Sequence, residues 1–209
     1  MEYDEHKLPI DITGLPTEER IRTALYDHLV KTTQDAIVEC WKGWITRTAN
    51  GKFKKHYFHR EFDVAQFHTE PYTITLTGYE VKGCTKEKKK TGYKPPAFAE
   101  GIDQAQVLLW QGADLVYLVI PEPQEFQDSR DLQDLCKVYS RVGVIFPMVF
   151  KEATSALSPS YWVFSEILHA PSNIRPATPD RKKEMLTSLA THPMCKRCRV
   201  PESLLPRTL

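Results

Sequence analysis

The sequence predicts an α/β fold: a mixed central β-sheet flanked by helices. Three observations predict it. Leu115-Val116-Tyr117-Leu118-Val119-Ile120 is a continuous apolar run closed by Pro121, the pattern of a strand covered on both faces. Helical periodicity precedes that run in Phe98–Gln111 and follows it in residues 129–140, before a second apolar run, Val142–Phe146. Upstream, two stretches rich in Thr, Tyr, Ile and Val flank a short turn signal, which predicts an antiparallel pair.

The elements follow in order. Residues 1–16 are polar and punctuated by Pro9, Gly14 and Pro16, which suits a lead-in segment. Thr17 suits an N-cap, with Glu18 and Glu19 in the first turn where the helix dipole favours acids. Ile21, Ala24, Leu25, His28 and Leu29 recur at helical spacing, so residues 17–33 read as an amphipathic helix. Residues 36–48 read equally as helix or strand, and Ala49-Asn50-Gly51-Lys52 is a turn. Strands are expected over residues 53–67 and 72–83, joined by His68-Thr69-Glu70-Pro71. Residues 85–96 form a basic loop. The helix at Phe98–Gln111 buries Ile102, Ala105, Leu108 and Leu109 and stops at Gly112. The helix at 129–140 carries Leu132, Leu135, Cys136 and Tyr139.

Residues 1–150 thus read as the core. Residues 151–209 read as a C-terminal extension, helical or irregular, suited to dimerisation or nucleic-acid contact. Within it Thr178-Pro179-Asp180 starts a short helix carrying Met185, Leu186 and Leu189. Trp41, Trp44 and Trp110 read as packing residues, and Tyr161-Trp162-Val163-Phe164 as core or a dimer surface.

Apolar residues make up 41% and charged residues 26% of the 209, the balance of a globular chain. The longest apolar run, Val142–Phe150, is strand-sized, so no membrane association is expected. The N-terminus is acidic with no apolar stretch behind it, which predicts no signal peptide and a cytoplasmic location. Five cysteines without a secretory signal are expected to be reduced thiols. The net charge of +1 requires any nucleic-acid binding to use a local concentration of positive charge.

Glu80-Val81-Lys82 lies inside a strand. Side chains alternate there, so Glu80 and Lys82 share one face and Val81 takes the other. Two charges on a sheet face are costly to bury unless they serve each other or a metal. Asp63, on the preceding strand, comes near Glu80 if the two strands pair. Two carboxylates in a cleft suit a hard divalent cation. Such a cation activates water and neutralises a scissile phosphate, and Lys82 is placed to orient that water or stabilise the developing charge. An acid-x-Lys triplet by itself usually marks a solvated strand face.

Order and context add to it. The segments REFDV, TLTGYEVKG, EGIDQAQ, GADLVYLVIP and RVGVIF follow a helix bearing Glu18. In that order they resemble the PD-(D/E)XK nuclease superfamily, over roughly residues 17–150. The resemblance implies a restriction-endonuclease-like core and a Mg²⁺-dependent DNA endonuclease, with Mn²⁺ able to substitute, acting in restriction or defence, repair or Holliday-junction resolution. It implies Asp63 and Glu80 as metal ligands, the Val81 carbonyl as a further ligand, and Lys82 as catalytic. Gln104 and Glu18 are implied as accessory site residues, Glu18 being preferred to Glu19 because it lies on the stripe with Ile21, Leu25 and Leu29. Here Phe62-Asp63 stands where many members have Pro-Asp, and Leu108 where some have a tyrosine. Glu61 shares a strand face with Asp63 and reads as an exposed strand residue, with an accessory acid of the site as the alternative.

Lys86, Lys88, Lys89, Lys90 and Lys94 follow the catalytic strand; they read either as a solvated loop or as a clamp on phosphates. DNA is the expected partner, with RNA as an alternative, and a homodimer the expected assembly. His192, Cys195 and Cys198 have the spacing of three Zn²⁺ ligands, completed by His169, Cys84 or a dimer partner; two reduced tail thiols are the favoured reading. The competing functional class is a non-catalytic nucleic-acid-binding or assembly protein that keeps the nuclease fold.

Overall fold

A computed structural model describes residues 16–40, 62–86, 93–94, 98–121, 134, 141–151, 160–192 and 195–204. Glu18–Thr32 is helix α1, opened by Thr17 in an extended conformation and closed by the Thr33 N–H donating to Leu29 O. Strands β1 (Ala36–Cys40), β2 (Val64–Thr69) and β3 (Ile74–Val81) follow, then the two-residue strands β4 (Thr85–Lys86) and β5 (Tyr93–Lys94). Helix α2 (Phe98–Trp110) leads into β6 (Leu115–Val119), β7 (Gly143–Lys151) and β8 (Ser160–Leu168). Helix α3 (Pro179–Thr191) and strand β9 (Cys195–Arg199) come last, before a short 3₁₀ turn at Glu202–Leu204. Thr178 caps α3, its hydroxyl accepting from the Arg181 N–H, with Pro179 in the first turn, where a missing N–H is harmless.

Seven strands form one mixed sheet in the order β8-β7-β6-β3-β2-β1-β9. The pairs β3–β6 and β6–β7 are parallel, and the pairs β1–β2, β2–β3, β7–β8 and β1–β9 antiparallel. Alternation along the strands divides the core in two. One face carries Val38, Ala65, Phe67, Leu76, Val116, Leu118 and Val144, covered by Ile102, Ala105 and Leu108 of α2 and Met185, Leu186 and Leu189 of α3. The other carries Ile37, Val64, Tyr79, Val81, Val119 and Ile145, covered by Ile21, Leu25, Tyr26 and Leu29 of α1. The fold is therefore α/β, with a mixed seven-stranded sheet flanked by three helices among the described residues.

Several boundaries differ from those expected. Residues 36–40, ambiguous in sequence, are a strand because sheet pairing on both sides outweighs local propensity. The hairpin turn falls at residues 70–73, closed by the Glu70 N–H donating to Thr73 O at 2.9 Å, so β2 runs through His68 and Thr69. The expected strand residues 53–61 and the expected helix 129–140, except Asp134, lie outside the described residues, as do Trp41, Trp44 and Glu61.

The C-terminal stretch is not simply helical or irregular: β8 pairs along β7, and β9 along β1, at opposite edges of the sheet. Trp110 is not a packing residue. It is 76% exposed and, with Leu109, Ile174, Arg141 and Arg175, lines a cavity of about 340 Å³ at the C-terminal end of α2. No helix among the described residues is long and apolar enough to cross a membrane.

Candidate active site

The register that pairs Val64 with Tyr79 places Asp63, just before β2, beside Glu80 near the end of β3. Asp63 Oδ2 accepts the Val81 N–H at 2.7 Å, and Asp63 Oδ1 accepts from Arg22 Nη1 of α1 at 3.2 Å. Glu80 Oε1 lies 2.8 Å from Lys82 Nζ, the i,i+2 neighbour expected on its face. Asp63 and Glu80 are 8% and 5% exposed, so both carboxylates are almost wholly withdrawn from water. The Lys82 N–H donates to Val119 O on β6 at 2.8 Å. N–H and C=O of one strand residue leave on the same side, so the Val81 carbonyl faces the Asp63 side of β3.

Glu18 enters from the first turn of α1. A parallel bridge between Thr17 and Cys84, with the Cys84 N–H donating to Pro16 O at 3.0 Å, pins the start of the helix to the end of β3. Gly83 makes this approach feasible: a Cβ there would lie 2.2 Å from the Glu18 backbone nitrogen. Gly83→Ala is therefore expected to push the first turn of α1 off the sheet. Overpacking of this kind costs about 1–3 kcal/mol, read as a lowered urea midpoint with reduced site activity; an unchanged midpoint would show that the helix start is not held there. Glu19 points elsewhere and accepts from Lys196 Nζ at 2.7 Å. Gly101 in α2 similarly lets the helix approach the stem of Lys82, with a hypothetical Cβ 3.1 Å from Lys82 Cγ.

The electrostatics are those of carboxylates forced together. Burial, then the neighbouring Asp63 charge, pushes the Glu80 carboxyl up to about 8, against the pull of Lys82. Burial also raises Asp63, opposed by Arg22, the Val81 N–H and Lys82. Glu18 is raised by burial and by Asp63. Burial draws Lys82 down, but Glu80, Glu18 and Asp63 outweigh it and hold the ammonium above its ordinary value.

The pH dependence follows. Carboxyls raised in the folded state bind protons that the unfolded chain has released, so their burial costs most once pH exceeds the folded value. Stability without metal is expected to fall as pH rises from about 4.5 towards 8, and Mg²⁺ should flatten that decline. Thermal melts at pH 5, 7 and 9 with EDTA or Mg²⁺ measure this, and a melting temperature indifferent to pH would contradict the assignment.

Gln104, on α2, donates to Glu100 Oε1 at 2.9 Å, one helical turn earlier. Lys86 and Lys94 lie in the small β4–β5 ladder just beyond the site, through the pairs Thr85–Lys94 and Lys86–Tyr93; Lys88, Lys89 and Lys90 lie outside the described residues. His169 is at the β8 edge, 2.9 Å from Glu166, with the whole sheet between it and Cys195 on β9; it does not complete a site with that thiol. Cys84 is buried beside Thr17.

Sequence reading missed Arg22 and Glu39. Arg22 Nε lies 3.7 Å from Glu39 Oε1 while its Nη1 serves Asp63, and Glu39 Oε2 accepts from Arg197 Nε at 2.6 Å. The available signal was a charge at the i+4 position from Glu18, next to the apolar stripe of α1.

Among the described residues no three His, Cys, Asp or Glu side chains stand grouped to hold a metal ion. Asp63 and Glu80 with the Val81 carbonyl are instead two carboxylates and one backbone oxygen. That all-oxygen set suits Mg²⁺, which takes one or two carboxylates and fills its shell with water and substrate phosphate. Comparison with protein-family models, with curated proteins and with solved structures found no match for this chain.

Proposed function

We propose that this protein is a Mg²⁺-dependent endonuclease that hydrolyses DNA phosphodiester bonds from a restriction-endonuclease-like core. One observation carries the reading: two buried, mutually repelling carboxylates, Asp63 and Glu80, meet at the ends of adjacent strands, with the Lys82 ammonium 2.8 Å from Glu80. Such an arrangement is destabilising in isolation and gains from a divalent cation. Bound by Asp63, Glu80 and the Val81 carbonyl, the cation would lower the pKa of a coordinated water and neutralise charge on the scissile phosphate.

The chain's own groups supply the rest. The Arg22 and Val81 N–H donors fix both oxygens of Asp63, so its carboxylate is set in orientation before substrate arrives. Lys82, held charged by three carboxylates, orients the attacking water and stabilises charge on the phosphoryl oxygens. Glu18 adds a third carboxylate from α1, able to accept a proton or hold a water. Lys86, Lys88, Lys89, Lys90 and Lys94, which follow β3 in the chain, offer positive charge for the DNA backbone. A homodimer presenting two such sites would cut both strands.

The test is cleavage of linear duplex, supercoiled plasmid, single strands, a four-way junction and RNA with Mg²⁺, Mn²⁺ or EDTA, beside Asp63→Ala and Lys82→Ala. Metal-dependent cutting lost in both variants supports the reading and names the substrate. A folded wild type that cuts none of them would favour a non-catalytic nucleic-acid-binding or assembly role.

A further inference from the structure

Helix α2 joins two different surfaces. Its first turns lie against the stem of Lys82, where Gly101 leaves room for the approach. Its last residue, Trp110, stands at the other end, and a helix of 13 residues is about 20 Å long. The cavity of about 340 Å³ that Trp110 lines is therefore separate from the candidate active site.

The walls of this cavity are fixed by the chain. Gly112, at a φ of 100°, turns the chain out of α2, and its carbonyl accepts the Ala177 N–H at 2.9 Å. The Asn173 N–H donates to Asp114 O at 2.8 Å. The Asn173 side chain donates to Leu109 O at 2.8 Å and to Ala113 O at 2.7 Å, and its own oxygen accepts the Arg175 N–H at 3.0 Å. Residues 173–177 are thus bound to the end of α2, which gives Ile174 and Arg175 a set place beside Trp110. Arg141 comes from just before β7. Gly143 there lies so close to Ala170 that a Cβ would be 2.6 Å from the Ala170 nitrogen.

Two features of the lining select a ligand. The apolar part is Leu109 with Trp110 and Ile174, the last two 76% and 72% exposed. The charged part is Arg141 and Arg175, and no acidic side chain among the described residues lines the cavity. The negative end of the helix dipole opposes an anion here. The carbonyls of Val107, Leu108 and Leu109 are, however, taken up by the N–H groups of Gln111, Ala113 and Gly112, and two full positive charges outweigh what remains. An aromatic face beside two cations matches a flat ring that carries an anion. The volume is near the lower bound of about 300 Å³ for small-ligand sites, which suits one nucleotide unit rather than a protein surface.

We propose that this cavity binds one nucleoside phosphate, its base stacked on the Trp110 indole and its phosphate held by Arg141 and Arg175. Leu109 and Ile174 cover the remaining edges of the base. Every base has a π-face, so a stacking site selects the nucleotide class and not a sequence. Arginine suits the anion because its planar fork donates two parallel bonds to phosphate oxygens. The unit can come free in solution or as part of a nucleic-acid strand. The proposal goes beyond the hydrolytic reading and does not depend on it, since none of these side chains belongs to the Asp63–Glu80–Lys82 site.

Isothermal titration calorimetry on the full chain in EDTA tests it, with deoxyadenosine 5′-monophosphate, a short oligo(dA) strand, deoxyadenosine and inorganic phosphate. A saturable heat is expected with the mononucleotide, which makes free nucleotide the source, or with the strand, which makes nucleic acid the source. Deoxyadenosine and phosphate alone should each bind at least about tenfold more weakly, the loss expected of one stacking or one charged contact. Trp110→Ala and Arg175→Ala should each weaken binding by about tenfold, and Trp110→Phe should retain most of it. Both residues are exposed, so circular dichroism of these variants should match that of the wild type. Lys82→Ala, shown to be folded in the same way, should bind as the wild type does. No binding of either nucleotide ligand, unchanged affinity in the Trp110→Ala, Arg175→Ala double variant, or lost affinity in folded Lys82→Ala would overturn the site.

Discussion

Lys82→Ala is expected to lower metal-dependent DNA cleavage by about 10²–10³-fold, the usual loss when one preorganised charge at a reacting centre is removed. The reason lies in the pair it leaves behind. Glu80 is buried and already raised to about 8 beside Asp63; Lys82 is the cation that counters this. Without it Glu80 holds its proton to still higher pH and ceases to be an anionic ligand, so the variant loses both the ammonium and much of the cation site. The defect should lie in the single-turnover rate, with duplex binding nearly unchanged, since Lys86, Lys88, Lys89, Lys90 and Lys94 are untouched. Excess Mn²⁺ should rescue Lys82→Ala partly and Asp63→Ala hardly at all. Wild-type rates in Lys82→Ala would remove the catalytic reading of this site altogether.

Arg22→Met is expected to cost roughly 3–5 kcal/mol of stability, the range for removing one partner of a buried charge pair. Its side chain is 3% exposed and stands between Glu39, fully buried, and Asp63. Methionine fills most of the volume but leaves two carboxylates facing a low-dielectric interior. For a chain of this size the melting temperature should drop by roughly 10 °C. Arg22→Met with Glu39→Gln should recover part of the loss, and the double-mutant cycle measures the coupling. The same variant should weaken Mg²⁺ binding, because Asp63 Oδ1 loses its fixed donor. A loss within about 0.5 kcal/mol, the level of an ordinary surface change, would show that Arg22 does not sustain the network.

Elements with a strong local period were legible in the sequence. The β6 run is apolar without interruption because helices cover both of its faces, and α1 shows its buried stripe because one side meets the sheet. The alternation that puts Glu80 and Lys82 together is a property of any strand. Three things were not legible. Strand β9 reads Cys-Lys-Arg-Cys-Arg, a charged segment without β-propensity; it is a strand because β1 offers an open edge and because Arg197 finds Glu39, Asp27 and the Tyr26 ring. Strand β8 has one side only partly covered, so its pattern blurs. Arg22 is one charge among several on α1 in the sequence, and only the fold brings Glu39 to it.

The contact between Arg197 and Glu39 spans 158 residues of sequence. It also stands two steps from Asp63, through Glu39 and Arg22. During synthesis, β1 leaves the ribosome long before its partner β9 exists, and contacts of such separation form late because closing the intervening chain is entropically costly. A nascent chain therefore carries Asp63, Glu80 and Lys82 while the brace behind Asp63 is still missing. The bracing of Asp63 is therefore completed only after β9 has been made and has closed that edge of the sheet.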